Sequence, residues 1–164
     1  MSLSDHQQIQ IRHPVIADFY TIHGLIDDWW GGRPVRHLLP RLFFDHFYQT
    51  SFCVVDGPHL VAFLIGFISP AQTEQAYIHF VGVNPAYRRQ AWAGSLYQRF
   101  FELVKAQGVH TVKAITSPQN LASIAFHQAL GFTLVSGDYL LEGIPVHANY
   151  AGPEQDRVVF LRQI

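Results

Sequence analysis

Alternating apolar and polar positions open the chain: Ile9–Arg12, "IQIR", reads as a short strand. The period then changes. Val15, Phe19, Ile22, Ile26 and Trp29 recur at helical spacing after Pro14, which predicts a helix to about Asp28. "WWGGRP" breaks it. A second helix is expected with Leu38, Leu39, Leu42, Phe43 and Phe47 on one face, Pro40 marking an irregular start or a kink. "SFCVV" and "LVAFLIGFIS" read as consecutive strands across the turn "DGPH", and "AYIHFVGV" as the next strand. A helix over 91–106 puts Trp92, Leu96, Phe100 and Val104 on one stripe, with Gly108 just past its end where a left-handed cap is expected. "TVKAIT" is a strand, Pro118 or Asn120 opens a helix that ends at Gly131, and "FTLV" is another strand. After a loop holding "GIPVHANYAGPEQD", the last strand is "RVVFLR". Strands mixed with βαβ units predict an α/β (α+β) fold, a central sheet with helices on both faces. No repeat or linker interrupts the pattern, so 1–164 reads as one domain.

Composition narrows the classes. Nearly half the residues are apolar, which places the chain among folded domains rather than disordered ones. The net charge is −1, and without a basic excess no nucleic-acid partner is expected. The arginines come in small groups (Arg33, Arg36 and Arg41; Arg88 and Arg89), which suggests local anion sites. Cys53 is the only cysteine, in the apolar "SFCVVD", and reads as a buried small hydrophobe. The N-terminal "MSLSDHQQIQ" lacks an apolar signal core, and "LVAFLIGFI" is too short to cross a bilayer. A cytoplasmic protein without a membrane partner is the expectation. The histidines, His6 and His13 included, show no paired metal spacing, so no metal is expected.

The stretch "FVGVNPAYRRQAWAGSLYQRFFELV", Phe80–Val104, raises the chemical question. A strand ends at Pro85, two arginines follow, and small residues open a helix. The first N–H groups of a helix have no internal partner and the dipole makes that end positive. Small side chains let an anion approach the main chain, so the turn reads either as a phosphate site or as a solvated loop with ordinary arginines.

"VNPAYRRQAWA" resembles motif A of the GNAT superfamily of acetyl-CoA-dependent N-acetyltransferases, in which a strand ending V-x-P precedes Q/R-x-x-G-x-G/A. Arg88 takes the first motif position, Ala91 the first glycine and Ala93 the glycine-or-alanine. Alanine does not adopt a positive φ cheaply, so Ala91 is expected to seat the pyrophosphate further out or hold it more weakly. "NLASIAFHQALGF" is similar to the family's motif B, with Asn120, Ser123, Phe126, Gly131 and Phe132 in place and His127 where the tyrosine usually stands. The likeness is firm over roughly residues 75–135. It implies the GNAT fold, a mixed sheet of about seven strands, with acetyl-CoA as co-substrate.

The resemblance also implies site residues. Main chain at Val81, Gly82 and Val83 would hold pantetheine like an added strand. Backbone N–H groups of Arg89, Gln90, Ala91, Trp92, Ala93 and Gly94 would hold the pyrophosphate beside Arg88, with Asn120 and Phe126 contributing from motif B. Transfer to an amine of pKa about 10 needs a base or water chain. His79, on the face of the strand that Tyr77, Val81 and Val83 share, is one candidate, and Glu74 near the strand start is the rival. His127 is the candidate proton donor to the leaving thiolate, against the alternative of a ring that merely replaces tyrosine.

For the acceptor, the family implies the segment "DDWWGGRPVRH" and the loop "HANYAGPEQDR". Asp27 and Asp28 could attract an amine; Trp30, Arg33, Arg36, Tyr77 and Tyr150 are the candidate substrate contacts, with Trp29 in the core. Asp156 and Arg157 are expected to pair. The resulting expectation is direct transfer of acetyl to a small-molecule primary amine in a ternary complex. A peptide N-terminus or lysine, and a non-catalytic acyl-CoA-binding module, are the alternatives. A homodimer is left open.

Overall fold

The computed structural model describes residues 9–164. The polar start of the chain, with His6, lies outside the described residues. The described chain groups into two compact units, one running to Phe67 and resuming over Phe80–Leu103, the other formed by Ile68–His79 and Val104–Ile164.

In the first unit, β1 (Ile9–Arg12) pairs antiparallel with β2 (Phe52–Asp56), and β2 with β3 (His59–Ile68). The β2–β3 turn is a two-residue loop in which Gly57 takes φ 56° ahead of Pro58, a conformation open to glycine at the first hairpin position. Helix α1 (Ile16–Trp29) buries Ile22, Ile26 and Trp29. Its start is fixed by Asp18, whose carboxylate accepts from the Val15 N–H at 2.7 Å and takes a two-pronged ion pair from Arg12 at 2.7 and 3.0 Å. Around this helix packs a core of Leu39, Phe44, Cys53, Leu60, Phe63 and Ile65. Burial pushes the Cys53 thiol up, as suits an inert small hydrophobe.

The expected second helix is corrected. Pro40 bars the residue before it from helical geometry, so the segment breaks into a 3₁₀ turn at Arg36–Leu38, a short α2 (Leu42–His46) and another 3₁₀ turn at Tyr48–Thr50. Leu39 and Phe44 face the core, while Leu38 and Leu42, expected beside them, are exposed.

β4 (Gln75–Val83) carries the chain from the second unit into the first, and α3 (Trp92–Ala106) carries it back. On α3 the expected stripe is buried at Leu96, Phe100 and Val104. Gly108, at φ 90°, closes the helix with its N–H on the Lys105 carbonyl. In the second unit β4 runs parallel to β5 (Thr111–Thr116) from Gln75↔Thr111 to Tyr77↔Lys113, and β5 pairs along its full length with the antiparallel β9 (Val158–Gln163). Helix α4 (Leu121–Ala129) leads to β6 (Thr133–Leu134), which pairs with β9. The strand order β1-β2-β3-β4-β5-β9-β6 makes a seven-stranded mixed sheet, as the sequence predicts.

One element was expected as loop. β7 (Tyr139–Leu141) and β8 (Ile144–Val146) form a separate hairpin. Glu142 and Gly143 turn it with φ 48° and 83°, the two positive values a tight hairpin turn needs. Among the described residues, no helix is long and apolar enough to cross a membrane.

Candidate functional site

The turn after β4 is held from behind. Asn84 donates from its amide to the Leu60 carbonyl at 3.0 Å and accepts from the Ala86 N–H at 3.0 Å. Tyr87 donates to Asp56 at 3.1 Å, and Arg88 donates to the Trp29 carbonyl, the last of α1, at 2.8 Å. Arg88 thus caps the negative end of a helix, while Arg89 stays exposed.

Ala91 is the second correction. It adopts φ 59°, the left-handed conformation for which glycine is the usual residue, and Arg89 does so too at φ 67°. The anchored turn imposes the geometry despite the extra Cβ, so the expectation of an outward-displaced phosphate loses its premise. The first helical bond of α3 runs from the Ser95 N–H to the Ala91 carbonyl at 3.1 Å. The N–H groups of Trp92, Ala93 and Gly94 precede it and have no acceptor inside the helix. No heavy atom lies within 4 Å of where a Cβ on Gly94 would sit, so the first turn is open to an incoming group. Gln90 accepts from the Trp92 indole at 3.2 Å.

On β4, Gly82 is buried where a side chain has no room: a Cβ there would fall 2.6 Å from the Phe63 ring and 3.2 Å from Trp30. Trp30 leans on the strand with its ring centroid 5.0 Å from that of Phe80, and Val81 and Val83 flank the glycine half-buried. Trp29 is in the core, as predicted. The segment after α1 turns through Gly31 and Gly32 at φ 69° and 86°. Asp27 organises this turn. Its carboxylate accepts from the Val35 and Arg36 N–H groups at 2.8 and 2.9 Å and from Arg36 Nε at 2.8 Å. These contacts, led by the Val35 N–H, hold its pKa below the usual carboxylate value. Arg36 is therefore engaged, and Arg33 is exposed.

In the second unit, Asn120 is the N-cap of α4, its side chain accepting from the Ser123 N–H at 3.1 Å. One turn on, His127 is buried. Its ring stacks on Phe160 at 4.2 Å and 4°, and Phe126 and Phe132 meet it edge-on. His127 Nδ1 lies 2.7 Å from the Ser123 carbonyl, which can only accept, so the neutral ring carries its proton there. Burial lowers its pKa, opposed by that bond. The neutral ring thus commits its N–H to its own helix and packs among Phe126, Phe132 and Phe160.

Tyr77, Lys113, His147, Tyr150 and Arg157 form a second group in this unit. Lys113 sits over the Tyr150 ring at 5.4 Å, and Tyr150 meets His147 edge-on. Burial and, after it, Tyr150 push the Tyr77 phenol up to about 12. Asp156 and Arg157 feel each other's charge but make their hydrogen bonds elsewhere. Asp156 accepts from Tyr139 and from the Asn149 N–H, while Arg157 donates to the Asp156 main-chain carbonyl at 2.7 Å and to Gln155 at 3.2 Å. Lys113 escaped the sequence reading because it is one polar position in a strand's alternation; only its register opposite Tyr77 marks it. His79 is half-buried in β4. Glu74 is exposed just before the strand. Among the described residues, no group of three or more His, Cys, Asp or Glu side chains could hold a metal.

Residues 17–132 match the acetyltransferase (GNAT) family. The chain belongs to that family. It is similar to an L-2,4-diaminobutyric acid acetyltransferase of Nocardia farcinica, 33% identical over 49% of this chain and 42% of that protein. The match spans less than half the length of the curated relatives. Among solved structures, a GNAT-family acetyltransferase of Desulfovibrio desulfuricans superposes with a TM-score of 0.77 at 12% identity, covering 95% of this chain and 99% of that one. A diaminobutyrate acetyltransferase of Paenibacillus lautus, solved with L-2,4-diaminobutyric acid and coenzyme A, gives 0.66 at 20% identity over 94% and 95%. At these identities the likeness concerns the fold and does not choose an acceptor.

Proposed function

We propose that the protein is an N-acetyltransferase that moves acetyl from acetyl-CoA to the primary amine of a small molecule, directly and in a ternary complex. The observation that carries this reading is the turn Asn84–Ala91. It holds two non-glycine residues left-handed ahead of a 15-residue helix whose first N–H groups lack acceptors. Trp92, Ala93 and Gly94 would hold the pyrophosphate at a helix N-terminus, and the Val81–Val83 main chain would hold the pantetheine. When bound, acetyl-CoA supplies an activated thioester.

The residues of this chain then divide the remaining work. An N–H of the Val81–Val83 main chain donates to the carbonyl oxygen as it gains charge. His79, half-buried on β4, takes the proton of the amine directly or through water. Tyr77, raised to about 12, stays a neutral phenol near pH 7 and orients groups rather than removing protons. The thiol has an ordinary pKa near 8.5, so its thiolate departs without a dedicated donor and His127 is not required in that role. The Nocardia farcinica relative supports a small amine acceptor.

The alternative reading is an acyl-CoA-binding module without turnover. One experiment separates the two: calorimetric titration of acetyl-CoA into wild type and Arg89→Glu, then thiol release over a panel of diamines, amino acids and peptide N-termini. Binding of at least tenfold lower affinity in the variant, with amine-dependent release by wild type, is expected. Binding without release from any amine would favour the module, and no binding by wild type would end both readings.

A further inference from the structure

Two half-buried cations of the second unit make no hydrogen bond to a carboxylate among the described residues. Among the described residues, no acidic side chain pairs with Lys113, whose ammonium lies over the face of Tyr150. Arg157 donates to a main-chain carbonyl and to the Gln155 amide, both neutral, while the nearby Asp156 carboxylate, which feels its charge, is hydrogen-bonded to Tyr139 and the Asn149 N–H instead. Partly desolvated cations normally find an anion, because neutral acceptors replace lost hydration poorly.

Strand register shows that the two belong together. Lys113 pairs with Leu161, and the ladder runs through Ile115↔Val159 to Thr116↔Val158. Side chains alternate, so Lys113 and Arg157 emerge on one face of β5–β9, four steps or about 13 Å apart. Two long side chains can close that distance. Tyr77 stands beside Lys113 on β4, and Tyr150 lies against Lys113. Tyr77 lies within electrostatic reach of both Tyr150 and Arg157. The Tyr77 phenol, kept protonated by burial, adds an O–H donor beside the two cations.

We propose that Tyr77, Lys113, Tyr150 and Arg157 form a carboxylate-binding subsite, so that the acceptor is an amine that also carries a carboxylate. This rests on the reading of the protein as an N-acetyltransferase and narrows its substrate to the amino-acid class. The alternation that places Lys113 and Arg157 here is independent of the phosphate turn.

The test uses two probes that differ by the carboxylate alone: L-2,4-diaminobutyrate and 1,3-diaminopropane. Calorimetry measures their binding to the full chain, and thiol release with acetyl-CoA gives KM and kcat, for wild type, Lys113→Met, Arg157→Met and Lys113→Arg. Wild type is expected to bind the carboxylated probe at least tenfold tighter. Each methionine variant should lose about tenfold or more of that preference, the loss of one charge-assisted hydrogen bond, while 1,3-diaminopropane changes little. Lys113→Arg should recover most of it. Equal binding of both probes by wild type, or equal losses for both in the variants, would overturn the subsite. Carboxylate-selective binding with no thiol release would leave the subsite standing and remove the transferase reading. Release that favours 1,3-diaminopropane would do the reverse.

Discussion

Ala91 illustrates how a single side chain can be held against its preference. A left-handed alanine costs about 1–2 kcal/mol, and glycine gives back about 0.5–1 kcal/mol of that in unfolded-chain entropy. Ala91→Gly is therefore expected to stabilise the protein by about 0.5–1 kcal/mol, read as a higher denaturant midpoint at unchanged slope. Acetyl-CoA affinity should move less than threefold, because the turn already has the glycine geometry. A tenfold gain in affinity would mean that the methyl group had been displacing the phosphate after all. The position of Ala91 in the motif was readable from the residues; its φ was not, since that is imposed by the anchors at Asn84, Tyr87 and Arg88. His127 is similar. Its place in α4 was evident, but the destination of its proton depends on the carbonyl one turn back and on the Phe160 ring brought in by β9.

Among the elements, α1 and α3 meet most of their stripes, because one face of each is buried and periodicity reports burial, and β1 and β5 take their expected ends. Two segments were misread for local reasons. Pro40 divided a helical pattern into turns, and the β7–β8 hairpin hides in two apolar triplets too short to show alternation, with only Glu142–Gly143 as a turn signal. The join between α1 and the phosphate turn is a further element-scale feature that no pattern could reveal. Arg88 closes the end of α1 from 59 residues away. Arg88→Met is expected to cost about 1 kcal/mol of stability through the lost cap, while Arg88→Lys, still able to donate, keeps about half of it. Because Trp30 and the Asp27-organised turn follow directly from that helix end, the methionine variant should raise the acceptor KM several-fold more than it weakens acetyl-CoA binding. The reverse ranking, with the coenzyme suffering most, would return Arg88 to direct anion contact.

At the scale of the whole molecule, the buried His127 ties stability to pH. Its folded pKa lies below the unfolded value of about 6.5, so the unfolded chain binds the extra proton first. The contribution is neutral above about pH 6.5, and stability falls as pH drops from there towards the lower folded pKa. Chemical denaturation at pH 7.5, 6.5 and 5.5 should show this loss in wild type and a flatter profile in His127→Phe, which keeps the ring stack. The same variant should retain kcat within about tenfold; a fall of a hundredfold or more would restore the histidine to proton transfer. Cys53 has a practical consequence for all these assays. It is the sole cysteine, has no exposed surface, and its thiol is held protonated by burial. A colorimetric thiol reagent added to the native protein will therefore meet only the sulfur that turnover releases, and the enzyme supplies its own blank.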